Sequence, residues 1–359
     1  MNKKQILSIC LVTISLLSFV SCSSEQDSKV ESSSNVSVTD TEEYQKNLFA
    51  MDTYMTFKAY GSDSEKALDD AVNMVSELEK LLSVTDSSSE IYKINSNSGS
   101  SVEVSDTVMN LISNSIQFSN QTDGAFDISI YPVLKEWGFT TKDYKVPSQE
   151  TLDKLLENVD YNKIEIDTEN STVALANGME IDLGGIAKGY AGQQAAELLK
   201  SNGVDSAIIN MGGNVQTVGS KYDGSDWKVA IRDPDDESKY IGYVTVSDKA
   251  VITSGGYERY FEDDNGNVWW HILNPQTGYP ADSGIVSVTV IGDNGMMCDA
   301  LSTALFVMGI EKSSAYWHEY GGFEAIFVTD NNELYITSGL KDDFVPMDNY
   351  SNTEINIID

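Results

Sequence analysis

The chain has 359 residues, with 56 acidic side chains against 23 basic ones and a formal net charge of −33. Such a surface repels nucleic acid and anionic lipid, so any polyanion it binds must be neutralised locally by a metal, a helix terminus or a placed cation. Three cysteines and two histidines rule out a disulfide framework and argue against a His/Cys zinc centre; a metal here should sit on oxygen.

Met1-Asn2-Lys3-Lys4 followed by an apolar run over 6–20 is a signal peptide, residues 1–21, too short and wrongly flanked for a stable span. Phe19-Val20-Ser21-Cys22 has the form of a lipoprotein cleavage site, so the mature chain is predicted to start at a lipidated Cys22 on the extracytoplasmic face of the membrane. The charge becomes two units more negative once Lys3 and Lys4 leave. Residues 22–45 are rich in Ser, Glu, Asp and Asn and are predicted to form a disordered tether. One domain over 46–345 and a tail over 346–359 complete the predicted organisation. Cys298 is then the one thiol of the folded part, read as a small buried residue rather than a nucleophile.

A strand is predicted within 48–60, ending at Gly61. Leu68, Ala71, Val72, Val75, Leu78 and Leu82 give one apolar helical face over 64–82. A second helix is predicted from Ser105 as N-cap to just before Asp123-Gly124, and a third over 150–158. Three short strands are predicted at 163–167, 172–176 and 179–183, with Asn177-Gly178 as a hairpin signal. The last runs into Gly184-Gly185 and a helix over 186–200. A strand over 207–210 then leads into Gly212-Gly213. Further strands are predicted at 227–231, 243–247, 269–273, 285–291, 325–329 and 334–337, with a helix over 297–308. The pattern is α+β, a single domain of extensive, mainly antiparallel sheet flanked by helices.

The strand–Gly-Gly–helix junction at 179–189 has the form of an anion site, because the first N–H groups of a helix have no internal partner and carry the positive end of its dipole. Lys188 in the first turn opposes that dipole, which suggests an anionic ligand; a plain turn with a solvent-facing lysine is equally compatible with the segment. Asp299 and Thr303, four residues apart, project from one helix face as hard oxygen ligands suited to Mg²⁺. The bland alternative is a capping aspartate beside a packed threonine. His271 lies where a strand enters a Pro-Gly-Pro turn and could orient or move a proton. Residues 253–261 could line a ring pocket or form an edge hairpin, and Phe126 with Asp127 read by default as a core ring and a turn cap.

The order of these segments resembles the ApbE family, the FAD:protein FMN transferases, over about 47–340. It is carried by Met51-Asp52-Thr53, Gly124-Ala125-Phe126-Asp127, residues 182–189, Gly212-Gly213-Asn214, Thr253-Ser254-Gly255, residues 271–280 and Asp299-Ala300-Leu301-Ser302-Thr303. The resemblance implies Mg²⁺ held by Asp299, Thr303 and the main-chain oxygen near Gly185. It implies FAD contacts at Met51, Thr85, Ala125, Phe126, Asp127, Asp182, Lys188 and Leu273. The implied reaction moves FMN from FAD onto a Thr or Ser hydroxyl of an exported acceptor flavoprotein and releases AMP, with Asp299 and His271 as catalytic candidates. Asp52 and Asn274 depart from the family's frequent glycine and aspartate. No copy of the acceptor motif occurs in the chain, so self-modification is not predicted. Rival readings are an Mg²⁺-dependent FAD pyrophosphatase and a non-catalytic flavin-binding lipoprotein.

Overall fold

The computed structural model describes residues 42–359; the signal peptide, Cys22 and most of the tether lie outside the described residues. A nine-stranded sheet forms the middle layer. Its spatial order is Glu43–Ala50, Thr53–Tyr60, Ala207–Met211, Asn214–Val218, Ala250–Gly255, Ile285–Gly292, Phe323–Thr329, Leu334–Thr337 and Ile355–Ile358. All neighbours are antiparallel except the last pair, as the pattern predicts.

Alternation along the strands sorts side chains between two faces. Ile252, Val290 and Phe327 join a core with the Gly295–Tyr320 helix, while their neighbours Val251, Ile291 and Ile326 join a second core with the small sheet of Trp227–Arg232, Tyr240–Val246 and Phe344–Pro346. On the helical face, Ser64–Leu82 and Ala187–Ser201 cover the first four strands, and Asp106–Gln121 joins the same core. The helix Ser64–Leu82 has the predicted bounds, and Ser105 caps Asp106–Gln121 by accepting from the Val108 N–H.

Several expectations change. The predicted strand over 48–60 is a hairpin whose turn, Met51-Asp52, has φ of 49° and 59°. Its first strand starts at Glu43, inside the range assigned to the tether. Residues 179–183 form no ladder: the Asn95 side chain donates to the Ile181 carbonyl and accepts from its N–H at 2.9 and 2.8 Å, so an amide replaces a neighbouring strand. The strand that does pair with Thr172–Leu175 opposite Ile164–Asp167 is Ser101–Glu103. Ala250–Gly255, where no strand is predicted, is a central strand, and the helix expected over 297–308 continues to Tyr320 past a break at Gly309 (φ 79°). The presumed tail carries Ile355–Ile358, an edge strand whose short β-branched run is a weak signal by itself. No helix among the described residues is long and apolar enough to cross a membrane.

Candidate active site

The Ala187–Ser201 and Gly295–Tyr320 helices meet almost backbone to backbone. A Cβ on Gly189 would fall 2.1 Å from the Gly295 carbonyl oxygen and 2.5 Å from Asp299 Cβ. This contact, available only to glycine, seats the Asp299 carboxylate on the start of the other helix. Oδ2 accepts from the Gly189 N–H at 2.8 Å, and Oδ1 accepts from the Asn214 amide at 3.0 Å. The helix terminus expected to take a ligand anion therefore already holds one of the protein's own, a stabilising placement for a carboxylate. Among the described residues, the Gly185 and Lys188 N–H groups have no protein acceptor, whereas the Ala187 N–H bonds Leu183 O. What is left for a ligand at the Gly-Gly turn is those two donors and the Lys188 ammonium.

Thr303, one turn beyond Asp299, reaches the same turn. A Cβ on Gly185 would lie 3.6 Å from Thr303 Oγ1 and 3.0 Å from Phe126 Cε2. The fold thus joins Gly185, Asp299, Thr303 and Phe126. The Thr303 hydroxyl makes no hydrogen bond within the described residues, and each Asp299 oxygen keeps a further lone pair. That donor set, one carboxylate, one unpartnered hydroxyl and bare glycine backbone, fits a hard cation such as Mg²⁺. Among the described residues no cluster of three His, Cys, Asp or Glu side chains competes for a metal.

Asp182 opens the turn by accepting from the Gly184 N–H at 2.8 Å. Burial pushes its carboxyl above the usual range, while that bond, Arg259 and Lys188 pull it back down. Its own N–H donates to Ile128 O, which ties the turn to the 124–127 segment. Asp127 is spent on structure: Oδ1 accepts from the Ser129 N–H and hydroxyl and Oδ2 from the Tyr161 N–H. Ala125 lies in the same turn, beside the buried Phe126.

Three more segments converge at this end of the sheet. The Met51 N–H donates to Glu79 at 2.7 Å, and Thr53 Oγ1 lies where a Cβ on Gly212 would be, so the first hairpin abuts the Gly212-Gly213 turn. Both residues of that turn have positive φ, which makes the second Gly-Gly a hairpin turn and no second helix start. Glu258 lies 3.5 Å from a Cβ on Gly213. Burial raises its carboxyl to about 7, opposed by Lys188 and Arg232. Thr85 is the exception, an exposed residue whose hydrogen bonds go to Ser83. Cys298 is buried, with its thiol pushed up by desolvation and Asp299, which suits the structural reading.

His271 follows the Val268–Trp270 strand. Its N–H donates to Arg259 O at 3.0 Å, and Nδ1 lies 3.2 Å from the same carbonyl. A carbonyl only accepts, so Nδ1 carries the proton and Nε2 is left free. Burial, Arg259 and Lys188 hold the imidazole at about 3, neutral at physiological pH. Leu273 is packed with Val133, Trp137, Phe139 and Leu152, and Trp137 donates to Gly278 O at 2.8 Å, which fixes the turn after His271. Asn274 Oδ1 accepts from the Gln276 N–H, a turn-forming role that an amide oxygen fills as well as a carboxylate. Arg232 was not singled out from the sequence, and Glu258 and Arg259 only as members of the 253–261 segment. A signal was present: the chain has two arginines, and both bear on this cleft.

A profile of the ApbE family matches residues 51–327. A FAD:protein FMN transferase of Klebsiella pneumoniae (strain 342) is 34% identical over 314 residues, 87% of this chain and 97% of that protein. The crystal structure of the ApbE protein from Thermotoga maritima superposes with a TM-score of 0.79 at 33% identity, over 84% of this chain and 98% of the other. That of the apo flavinyl transferase ApbE of Pseudomonas stutzeri gives 0.71 at 32% identity, over 80% and 90%.

Proposed function

The chain belongs to the ApbE family, and from that premise we propose that it works as an FAD:protein FMN transferase with an Mg²⁺-assisted site at the Gly185 turn. The observation that carries the reading is the meeting of the unpartnered Thr303 hydroxyl, the Asp299 carboxylate and Gly185 beside Lys188. Asp299, Thr303 and main-chain oxygen at Gly185 would hold the ion, which supplies charge neutralisation for phosphoryl oxygens. Lys188 and the free Gly185 and Lys188 N–H groups bind the pyrophosphate of FAD. Phe126, with the Ala125 and Met51 turns, supplies apolar surface for the rings.

In the transfer, an acceptor Thr or Ser hydroxyl oxygen forms the new bond to the FMN phosphorus as the bond to the AMP oxygen breaks. The hydroxyl proton passes to the free Nε2 of His271 and AMP departs with the bonding pair. An imidazole already neutral and oriented by the Arg259 carbonyl is prepared for that step. The signal and lipobox sequence supports placing the enzyme on the extracytoplasmic face, lipid-anchored at Cys22, where its acceptor is an exported flavoprotein.

The test incubates the mature protein with FAD, Mg²⁺ and a candidate acceptor domain and follows AMP together with acceptor mass. An FMN-sized mass gain that vanishes with EDTA is expected. Asp299→Ala would also cut the Gly189 and Asn214 bonds, so Thr303→Val is the cleaner variant; it should keep the fold and lower activity at least about a hundredfold. AMP release at equal rate without acceptor would establish a hydrolase instead.

A further inference from the structure

Arg259 makes three connections at once. Its main-chain carbonyl receives both the N–H and Nδ1 of His271. Its Nη2 donates to Phe139 O at 2.5 Å, across 120 residues of sequence. The Phe139 ring in turn stands edge-on to the imidazole, with centroids 6.3 Å apart. Phe139 and Phe261 pack at 5.8 Å, and Tyr144 stacks on Phe261 at 5.1 Å with an interplanar angle of 18°. The segment around Phe139 and the Tyr260–Glu262/Val268–Trp270 hairpin therefore close on His271 from two sides, and one guanidinium joins them.

We propose that Arg259 is the positioning residue of the transfer step: its carbonyl holds His271 as the Nδ1–H tautomer, and its guanidinium locks the Phe139 backbone against the ring so that Nε2 keeps one direction. This rests on His271 being the proton acceptor, as argued above. A lysine would not replace it, because a compact ammonium lacks the planar fork that can bond a carbonyl and still present its remaining N–H groups to the cleft. The charge acts as well as the geometry. Lys188 from the helix start and Arg259 from the hairpin are the cations that disfavour a protonated His271, and the carboxylates of the same cleft, Asp182 and Glu258, are themselves drawn toward Lys188.

The chain's two histidines make the test direct. His318 is exposed and meets the Trp317 ring edge-on, so a His318→Gln background leaves His271 as the single imidazole for ¹⁵N and ¹³C NMR. The unmutated site should show Nδ1 protonated and Nε2 bare, with no titration down to about pH 4.5. Arg259→Gln should raise the His271 titration by roughly one pH unit and cut kcat between about ten- and a hundredfold, with the KM for FAD moving less. Arg259→Lys, which keeps the charge, should leave the titration near that of the parent yet still lose kcat. An Nε2–H tautomer in the parent protein, or an unchanged titration and kcat in Arg259→Gln, would overturn the proposal. His271→Gln separates the two readings: full transfer activity in it removes the base assignment, while the tautomer and titration still decide what Arg259 does to the ring.

Discussion

Single residues carry the site because each satisfies a contact that no other side chain would. Gly189 is the clearest. Any Cβ there meets the Gly295 backbone, which cannot rotate away, so Gly189→Ala should cost about 3 kcal/mol in urea unfolding and should displace Asp299 enough to abolish metal-dependent transfer. Asp52 explains its own departure from the family pattern, since φ of 59° is the region where glycine is unstrained. Glu258 gives a pH signature. An ordinary glutamate ionises near 4.5, but this one stays protonated to about 7 in the fold. The folded state therefore binds the extra proton between those values, and stability falls as pH rises through that window. Glu258→Gln should raise the Tm at pH 8, by on the order of 2 °C, and leave it unchanged at pH 4. A gain of equal size at both values would show that the carboxyl is not held protonated. The roles of Gly189 and Glu258 were not legible in sequence, because each depends on neighbours distant in the chain.

At the scale of elements, what the periodicity predicts well is what local forces decide. The helix Ser64–Leu82 needs only its apolar stripe, and Ser105 and Ser148 cap their helices with oxygens three residues from the N–H groups they accept. The failures lie where a side chain from afar replaces backbone pairing. Residues 179–183 have a strand pattern but are held by the Asn95 amide. Asn95→Ala leaves the Ile181 N–H and carbonyl without partners, which should cost about 2–4 kcal/mol and raise the KM for FAD by loosening the Asp182 to Lys188 turn. An unchanged denaturation midpoint would mean that water substitutes for the amide. The Ala250–Gly255 strand was hidden for a related reason: buried on both faces and rich in Ser, Thr and Gly at its end, it shows neither alternation nor a bounded apolar run.

For the whole molecule, the nine-stranded sheet brings turns from distant parts of the chain to one end, and its last strand closes the opposite edge. Removing 352–359 uncovers the Leu334–Thr337 edge and the buried Ile358 contact. The expected outcome is a Tm lower by several degrees with concentration-dependent light scattering, as an unpaired edge invites pairing between chains; a truncated chain that melts like the parent would show the strand to be dispensable. The sequence by itself determined the α+β class, the bounds of the Ser64–Leu82 helix and, through the order of its motifs, the family. These follow from local periodicity, capping and composition, which need no knowledge of the third dimension. Only the tertiary structure decided that the helix start at Lys188 holds Asp299 before it holds any ligand, and that Glu258 and Arg259 belong to the cleft. It also decided that His271 is neutral with Nε2 free. Electrostatics and close packing act through space, and the groups that set each of these states are distant in the chain or turned toward the site only by the fold.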